Sequence, residues 1–143
     1  MGLGNFGESA TGWNMKRRMK TAGPQAAEPE ESVKIVVEEF VDAVTKHGVA
    51  AEAGDYKTTN KQYRRYDALK KRLEQKGEAG WHAIHALLDH SNPWVRMVAA
   101  STCLKHHEAE ATKMLEALTR EKGIVGFNAK MVLHEWRAGR LRP

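Results

Sequence analysis

Apolar side chains recur at a spacing of thirty residues in the second half of this chain, and no other feature restricts its fold as strongly. The positions of one unit are Ile84, Leu88, Val95, Ala99 and Cys103. Their counterparts thirty residues later are Met114, Leu118, Val125, Ala129 and Leu133. A fixed period of this length is typical of stacked helix pairs, in which each pair covers the apolar face of its neighbour. The repeat therefore predicts an all-α fold, a short right-handed α-solenoid of about three antiparallel helix pairs.

The clearest helix start lies in residues 87–100, which read as the end of one helix, a tight turn and the beginning of the next. Asn92 can cap the second helix with its side-chain oxygen, and Pro93 suits the first helical position, where a missing N–H is no loss. Ala99 and Ala100 are small enough to let this helix approach a neighbour closely.

Helices are assigned wherever apolar residues recur at i, i+3 and i+4. The spacing predicts six of them, at about 32–47, 58–76, 78–89, 93–106, 108–121 and 124–136. The alanine-rich stretch from Gly48 to Gly54 could extend the first helix, although its two glycines leave the end open. Thr58 or Thr59 is the expected cap of the second helix, and Gly77 the residue that ends it. No stretch of useful length alternates between apolar and polar residues, so no strand is predicted.

Length and composition predict one domain preceded by a leader. A chain of 143 residues with 41% hydrophobic residues can bury a single core. Residues 1–31 are rich in glycine and proline without apolar periodicity, which predicts a flexible leader before a helical domain at 32–143. One cysteine, no signal peptide and no apolar run long enough to cross a bilayer indicate a cytoplasmic protein that does not enter membranes.

Charge is distributed in two opposed blocks. Residues 28–55 hold eight acids and two bases, whereas residues 56–76 hold eight bases and two acids. Such blocks are usually solvated helix faces, but a basic face can also attract a nucleic acid or an acidic protein.

The turn and helix at 93–100 resemble the HEAT repeat. The HEAT pattern Pro-x-Val-Arg-x-x-Ala-Ala stands here as Pro93-Trp94-Val95-Arg96-Met97-Val98-Ala99-Ala100. In the third unit Gly123 and Gly126 replace Pro93 and Arg96, so that unit matches only in its apolar spacing. The resemblance implies a HEAT/armadillo-like solenoid.

From Val37 to Trp136 the chain also resembles a small bacterial family of HEAT-like domains of unknown function. Asn60, Tyr63, Leu73 and residues 87–100 carry that likeness. It implies an all-helical fold and no established activity. Compact helical proteins of this kind encoded beside polymorphic toxins suggest an immunity or adaptor role by analogy.

Several polar residues are candidates for sharper roles. His82 and His85 lie one helical turn apart, and His90, His106 and His107 could approach them at hairpin ends. Because no Cys-x-x-Cys or His-Glu-x-x-His motif accompanies them, solvated or partner-facing histidines are favoured and no metal site is expected. His90 is expected to bond backbone groups in its turn.

The sequence pattern favours structural roles for Arg96 and Cys103. An arginine at this position of a HEAT-type hairpin usually pairs with an acid or with carbonyls of an adjacent turn, and Asp89 is the expected partner. Cys103 falls on the packed face and is expected to act as a small hydrophobic residue.

No Walker loop, Gly-x-Gly-x-x-Gly or Gly-x-Ser-x-Gly motif is present in the sequence, so neither an enzymatic role nor a cofactor is expected. We expect a protein-interaction module that binds another protein, such as an acidic, toxin-like or effector partner, and is itself a monomer or weak dimer. The thirty-residue register predicts the contact residues of its concave face: Arg64, Asp67, Lys71, Trp94, Met97, Ser101, Lys105, Phe127 and Met131. For Trp94 and Phe127 the pattern fits equally well a role in covering the hairpin ends. The alternative is a nucleic-acid-binding domain that uses the basic helix at 56–76.

Overall fold

Helices make up most of the part of the chain that the computed structural model describes, residues 30–142. The α-helices are α1 (Glu30–Glu52), α2 (Tyr56–Gln75), α3 (Glu78–Ala86), α4 (Pro93–Cys103), α5 (Glu108–Leu118) and α6 (Ile124–Arg137), with a 3-10 turn at Leu87–Asp89. No strand occurs among these residues. The all-α prediction is therefore confirmed. The predicted leader lies outside the described residues except for its last two positions, which belong to α1.

Two of the helix starts show how local sequence sets the boundaries. The Asn92 side chain accepts a hydrogen bond from the Trp94 amide at 2.8 Å, with Pro93 in the first helical position, as predicted. The second helix begins earlier than predicted, because Asp55 rather than a threonine caps it. Its carboxylate accepts a hydrogen bond from the Thr58 amide at 3.1 Å.

The helix ends differ from the predicted ones by a few residues. Helix α1 continues past residue 47 into the alanine-rich stretch that the sequence left open as an extension, since Gly48 remains helical and the chain reverses only at Gly54, whose φ is +73°. Gly77, with φ of +70°, follows the end of α2 as predicted. Helices α4 and α5 each stop three residues early, at Cys103 and Leu118.

The core is built from the periodic residues. All five positions of the first unit are buried, and of the second unit only Met114 is less than fully buried. Phe40 and Val44 of α1 and Leu73 of α2 complete the core and are fully buried. The apolar spacing therefore identified the packed faces of α3 to α6 correctly.

Helix α1 connects parts of the chain that are distant in sequence. It packs along α2 and also contacts α3, α4 and α6. Helix α4 in turn contacts α1, α3, α5 and α6. The contact between α1 and α6 goes beyond what a stack of neighbouring helix pairs requires.

The turn before α4 is held by polar contacts that differ in one respect from the prediction. Arg96 donates hydrogen bonds to the carbonyls of His90 and Ser91, at 2.8 and 3.0 Å, and not to Asp89. The carbonyls lie within reach of a guanidinium one turn into the helix, so the acid is not needed. The His90 ring accepts a hydrogen bond from the Asn92 amide at 3.0 Å, which confirms its predicted role in the turn.

Cys103 lies in the core with no exposed surface. Burial raises the pKa of its thiol to about 11, with a smaller contribution from the negative charge of Glu110. The thiol is therefore protonated at neutral pH and acts as a small hydrophobic residue, as predicted.

Candidate functional site

A groove of about 450 Å³ crosses the face formed by α2, α4 and α6, and we call it the central groove. The end of α1 and the residues after α6 border it. Its lining consists of His47, Tyr63, Tyr66, Asp67, Lys70, Met97, Val98, Ser101, Thr102, Asn128, Met131, Val132, Leu141 and Arg142.

The floor of the central groove is apolar and its rim exposes large side chains. Met97 and Val98 of α4 are buried and form part of the floor. Tyr63 of α2 and Met131 of α6 are 50% and 43% exposed, so another molecule can reach both. A thioether and a phenol ring of this kind supply adaptable apolar contact area.

The charge at the rim is mostly positive. Asp67 forms ion pairs with Lys70 at 3.8 Å and with Lys71 at 3.1 Å. Arg142 borders the groove from the end of the chain and is exposed. Among the charged residues that line the groove, Lys70 and Arg142 thus outnumber the one carboxylate, which favours an acidic ligand over a basic one.

His47 contributes to the lining of the groove from α1 and is 8% exposed. Its ring packs edge-on against Tyr66 and Trp94, with centroid distances of 5.2 and 5.3 Å, and its Nδ1 lies 3.1 Å from the Thr59 carbonyl oxygen. Burial lowers the pKa of His47, although the hydrogen bond to Thr59 acts in the opposite direction. The imidazole is therefore neutral at pH 7, and its Nδ1–H donates to the carbonyl.

Four of the nine predicted contact residues line the central groove: Asp67, Met97, Ser101 and Met131. They come from three helices, as the thirty-residue register requires. The Ser101 hydroxyl donates to the Met97 carbonyl at 2.9 Å, one turn earlier in α4, so its hydrogen bond is already made within the helix.

Four other predicted residues are exposed but do not line the groove: Arg64, Lys71, Lys105 and Phe127. Phe127 is 59% exposed and lies one helical turn from Met131 on α6, so the two side chains extend the apolar rim. Lys105 follows the end of α4 and projects from the turn.

Trp94, the predicted aromatic anchor, lies in the core instead of on the concave face. Its side chain is 5% exposed and packs on Gly48 of α1, where an added Cβ would come within 2.5 Å of the indole. The indole N–H donates to Glu52 at 3.3 Å. A glycine in α1 creates the space for this ring, so little of Trp94 is left for a partner.

Glu52, the last residue of α1, was missed by the sequence analysis. Besides the Trp94 indole, its carboxylate accepts hydrogen bonds from the Ile124 amide at 2.9 Å and the Val125 amide at 3.2 Å. Gly123, with φ of +82°, precedes these amides and provides no side-chain cap of its own. A negative charge from α1 therefore occupies the positive end of α6. We call this contact the Glu52 junction.

One exposed face of α2 carries a row of cations, which we call the basic face. Its members, spaced as i, i+4, i+7, i+14 and i+15, are Lys57, Lys61, Arg64, Lys71 and Arg72. Arg65 is not part of the basic face, because it is engaged within the fold: it donates hydrogen bonds to Asp42 at 2.9 Å and to Gln62 at 3.2 Å. That contact and the nearby Lys46 lower the pKa of Asp42.

A cluster of metal-ligating side chains lies away from the groove, between α3 and α5. The Nε2 atom of His85 is 2.7 Å from Glu110 Oε1, and the Nδ1 atom of His107 is 3.7 Å from the same oxygen. The hydrogen bond to His85 is the main cause of a lowered pKa at Glu110.

Comparison with known proteins gives a likeness of fold alone. No protein-family model matches the chain, and no curated protein matches it in sequence. The crystal structure of the protein RPA1889 from Rhodopseudomonas palustris CGA009 is similar, with a TM-score of 0.70 and 20% sequence identity. The alignment covers 78% of this chain and 93% of that one. The described helices thus adopt an arrangement that also occurs in a solved protein.

Within residues 30–142, none of the helices combines the length and the apolar character that crossing a bilayer demands.

Proposed function

We propose that this chain is a non-enzymatic protein-interaction module, and that its central groove holds a segment of an acidic partner protein. The observation that carries the proposal is the combination of an apolar floor, exposed Tyr63 and Met131, and a mostly cationic rim in one concave site. Grooves with an apolar centre and a polar rim are the usual form of a peptide-binding surface.

The scaffold in this proposal is a short HEAT-like α-solenoid. The thirty-residue repeat supports it, since both units of the repeat place their periodic residues in the core. The Pro93 turn, with its Asn92 cap and its arginine bonded to turn carbonyls, supports it as well. In a solenoid of this kind the second helix of each pair faces the ligand, which agrees with the lining of the groove by α2, α4 and α6.

The chemistry of the occupant follows from the lining. Apolar side chains of the partner would pack against Met97, Met131 and Tyr63, where Met residues adapt to irregular shapes. Carboxylates of the partner would approach Lys70 and Arg142 at the rim. Because these charges are partly solvated, they would contribute more to the rate of association than to final affinity.

The resemblance to HEAT-like domains makes a toxin or effector protein the first partner to test, with this chain as immunity protein or adaptor. We place this role in the cytoplasm and take the chain as a monomer or weak dimer. No cofactor enters the proposal, because binding through the groove requires none.

Methionine methyl resonances provide a direct test. Met97 and Met131 line the central groove, whereas Met114 of α5 packs against the core elsewhere and serves as an internal control. The full chain, labelled with ¹³C at the methionine methyls, is titrated with the proteins encoded next to its own gene. A true partner should shift the Met97 and Met131 resonances and leave that of Met114 unchanged. Binding that shifts Met114 alone would contradict the assignment of the groove.

Two variants of α6 give a quantitative version of the test. Met131→Asp places an acid in the groove and should weaken binding of an acidic partner about tenfold or more, equivalent to about 1.4 kcal/mol. Lys130→Asp changes the net charge of the chain by more than Met131→Asp does, but Lys130 lines a separate cleft with His134. Isothermal titration calorimetry should therefore give nearly unchanged affinity for Lys130→Asp. Equal losses in the two variants would mean that net charge, not the groove, governs binding.

A second candidate function, nucleic-acid binding, rests on the basic face of α2. Its five exposed cations extend over about 22 Å of helix, a length comparable to several phosphates of one strand. No base-reading side chains accompany them in an obvious pattern, so binding would be independent of nucleotide sequence.

Salt dependence separates this candidate from the groove. Five phosphate contacts would weaken binding of a fluorescent duplex roughly 10²–10³-fold between about 50 and 200 mM salt. The double variant Lys61→Glu with Arg64→Glu should abolish such binding, while Met131→Asp should leave it intact. Arg65 is left unchanged in this design because its contact with Asp42 supports the fold. A salt-insensitive or undetectable interaction with the duplex would exclude the nucleic-acid candidate.

A further inference from the structure

We propose that His85, His107 and Glu110 form a divalent transition-metal site, with Zn²⁺ as the ion that its donors suit best. Their ligand atoms all lie within 4.8 Å of one another. No metal site is expected from the sequence, because no ligand motif joins these residues. Their convergence depends on packing between two helix hairpins, which a local motif cannot report.

Each donor has a defined place in the fold. His85 stands in the last turn of α3, His107 is the residue that precedes α5, and Glu110 lies in the first turn of α5. The helix backbone therefore fixes the Cα positions of all three. Two of the donors, His107 and Glu110, are three residues apart and lie on the same side of α5.

The separations are compatible with coordination. Zn²⁺ binds histidine nitrogen and carboxylate oxygen at about 2.0–2.2 Å, which requires donors roughly 3–4 Å apart. Of the two distances to Glu110 Oε1, 2.7 Å lies just below this range and 3.7 Å lies within it. The imidazole rings of His85 and His107 have centroids 4.4 Å apart, so a small rotation of exposed side chains is enough to bring both nitrogens onto one ion.

The donor types also fit. Two neutral imidazoles and one carboxylate are borderline ligands typical of Zn²⁺, whereas Mg²⁺ and Ca²⁺ prefer oxygen alone. Three protein ligands leave at least one coordination position, and all three side chains are partly exposed, so that water can fill it. The bound ion would join α3 to α5, the first helices of two successive hairpins.

Calorimetric titration of the full chain with ZnCl₂, without an affinity tag and after treatment with a chelator, tests the site. We expect one saturable site per chain. His85→Ala and Glu110→Gln should each weaken Zn²⁺ binding by about 100-fold or more, because losing even supporting residues of a metal site costs roughly 10–100-fold. Glu110→Gln keeps an oxygen that can accept from His85, so its effect separates coordination from the existing hydrogen bond.

His134→Ala is the matched control, because His134 is an exposed histidine on α6 that lies outside the cluster. It should bind Zn²⁺ as the unmodified chain does. Long-range ¹H–¹⁵N spectra of the imidazoles should show the Zn²⁺-dependent change at Nε2 of His85 and Nδ1 of His107. Circular dichroism spectra without metal verify that each variant remains helical. Unchanged binding in His85→Ala and Glu110→Gln, or an equal loss in His134→Ala, would overturn the proposal in favour of scattered surface histidines.

Discussion

Replacing Glu52 by alanine is the sharpest test of how this fold is held together. The Glu52 carboxylate accepts hydrogen bonds from the Trp94 indole and from the amides of Ile124 and Val125. These contacts join the end of α1 to the beginnings of α4 and α6, residues that are 42 to 73 positions apart in the sequence. An alanine removes all three hydrogen bonds at once without altering the helix propensity of α1 unfavourably.

The expected loss can be estimated from the two kinds of contact. Removing a side chain that caps a helix costs about 0.5–2 kcal/mol, which covers the two amides of α6. A buried donor left without its acceptor costs about 1–3 kcal/mol, and the indole of Trp94 is such a donor. Because Glu52 itself is exposed, water can replace part of its role, and the lower parts of both ranges apply. We expect Glu52→Ala to lower the free energy of unfolding by about 2 kcal/mol.

Glu52→Gln should cost less, about 1 kcal/mol, since the amide oxygen still accepts but the charge at the positive end of α6 is lost. Glu39→Ala is the control, because Glu39 is an exposed glutamate of the same helix without a hydrogen bond or ion pair to any described residue. It should change stability by less than about 0.5 kcal/mol. Urea unfolding followed by circular dichroism measures the stability of all three variants. In thermal unfolding, Glu52→Ala should also lower Tm by roughly 8 °C. If Glu52→Ala and Glu39→Ala unfold at the same urea concentration, the junction contributes nothing and the reasoning fails.

Three further predictions concern packing and pH. Ala99→Leu should lower the free energy of unfolding by about 1–3 kcal/mol by overpacking a fully buried position, whereas Pro93→Ala should lower it by under about 1 kcal/mol. Equal urea midpoints for the two variants would contradict this. Gly80→Ala should destabilise the fold by about 3 kcal/mol or prevent folding, because the added Cβ would collide with the Leu73 carbonyl oxygen. A soluble variant with an unchanged Tm would refute that contact. Since burial lowers the pKa of His47 below the usual 6.5, the unfolded chain binds the proton more readily. The contribution of neutral His47 to the free energy of unfolding should therefore be fully present above pH 6.5 and be lost as the pH falls below it. The His47→Gln variant should lose less stability over the same pH range.

Local sequence information was sufficient for the helices and much of the core. Apolar residues at helical spacing bury themselves wherever the helices meet, so the positions shared by the two thirty-residue units could be assigned in advance. The capping role of Asn92 could also be predicted, since it depends on residues only two positions apart. Helix ends were less certain because several polar residues compete as caps, as Asp55 did with Thr58.

The site was predicted less completely because it depends on contacts between distant residues. The register placed Met97 and Met131 on the same concave face, and both line the central groove. It could not report that Gly48 of α1 would receive the indole of Trp94, which turned an expected surface anchor into a core residue. A glycine within an otherwise continuous helix pattern was the available signal, since such a residue often marks close packing.

Two parts of the central groove's lining should respond differently to a partner. His47 packs against Trp94, and the Glu52 junction fixes the same helix, α1, to the beginnings of α4 and α6. Arg142, which follows α6 and also lines the groove, is exposed. Side chains held by a core are already ordered, so binding there loses little conformational entropy, whereas an exposed arginine side chain must be ordered by the ligand. We therefore expect selectivity for a partner's shape beside His47 and adaptation to its charge beside Arg142.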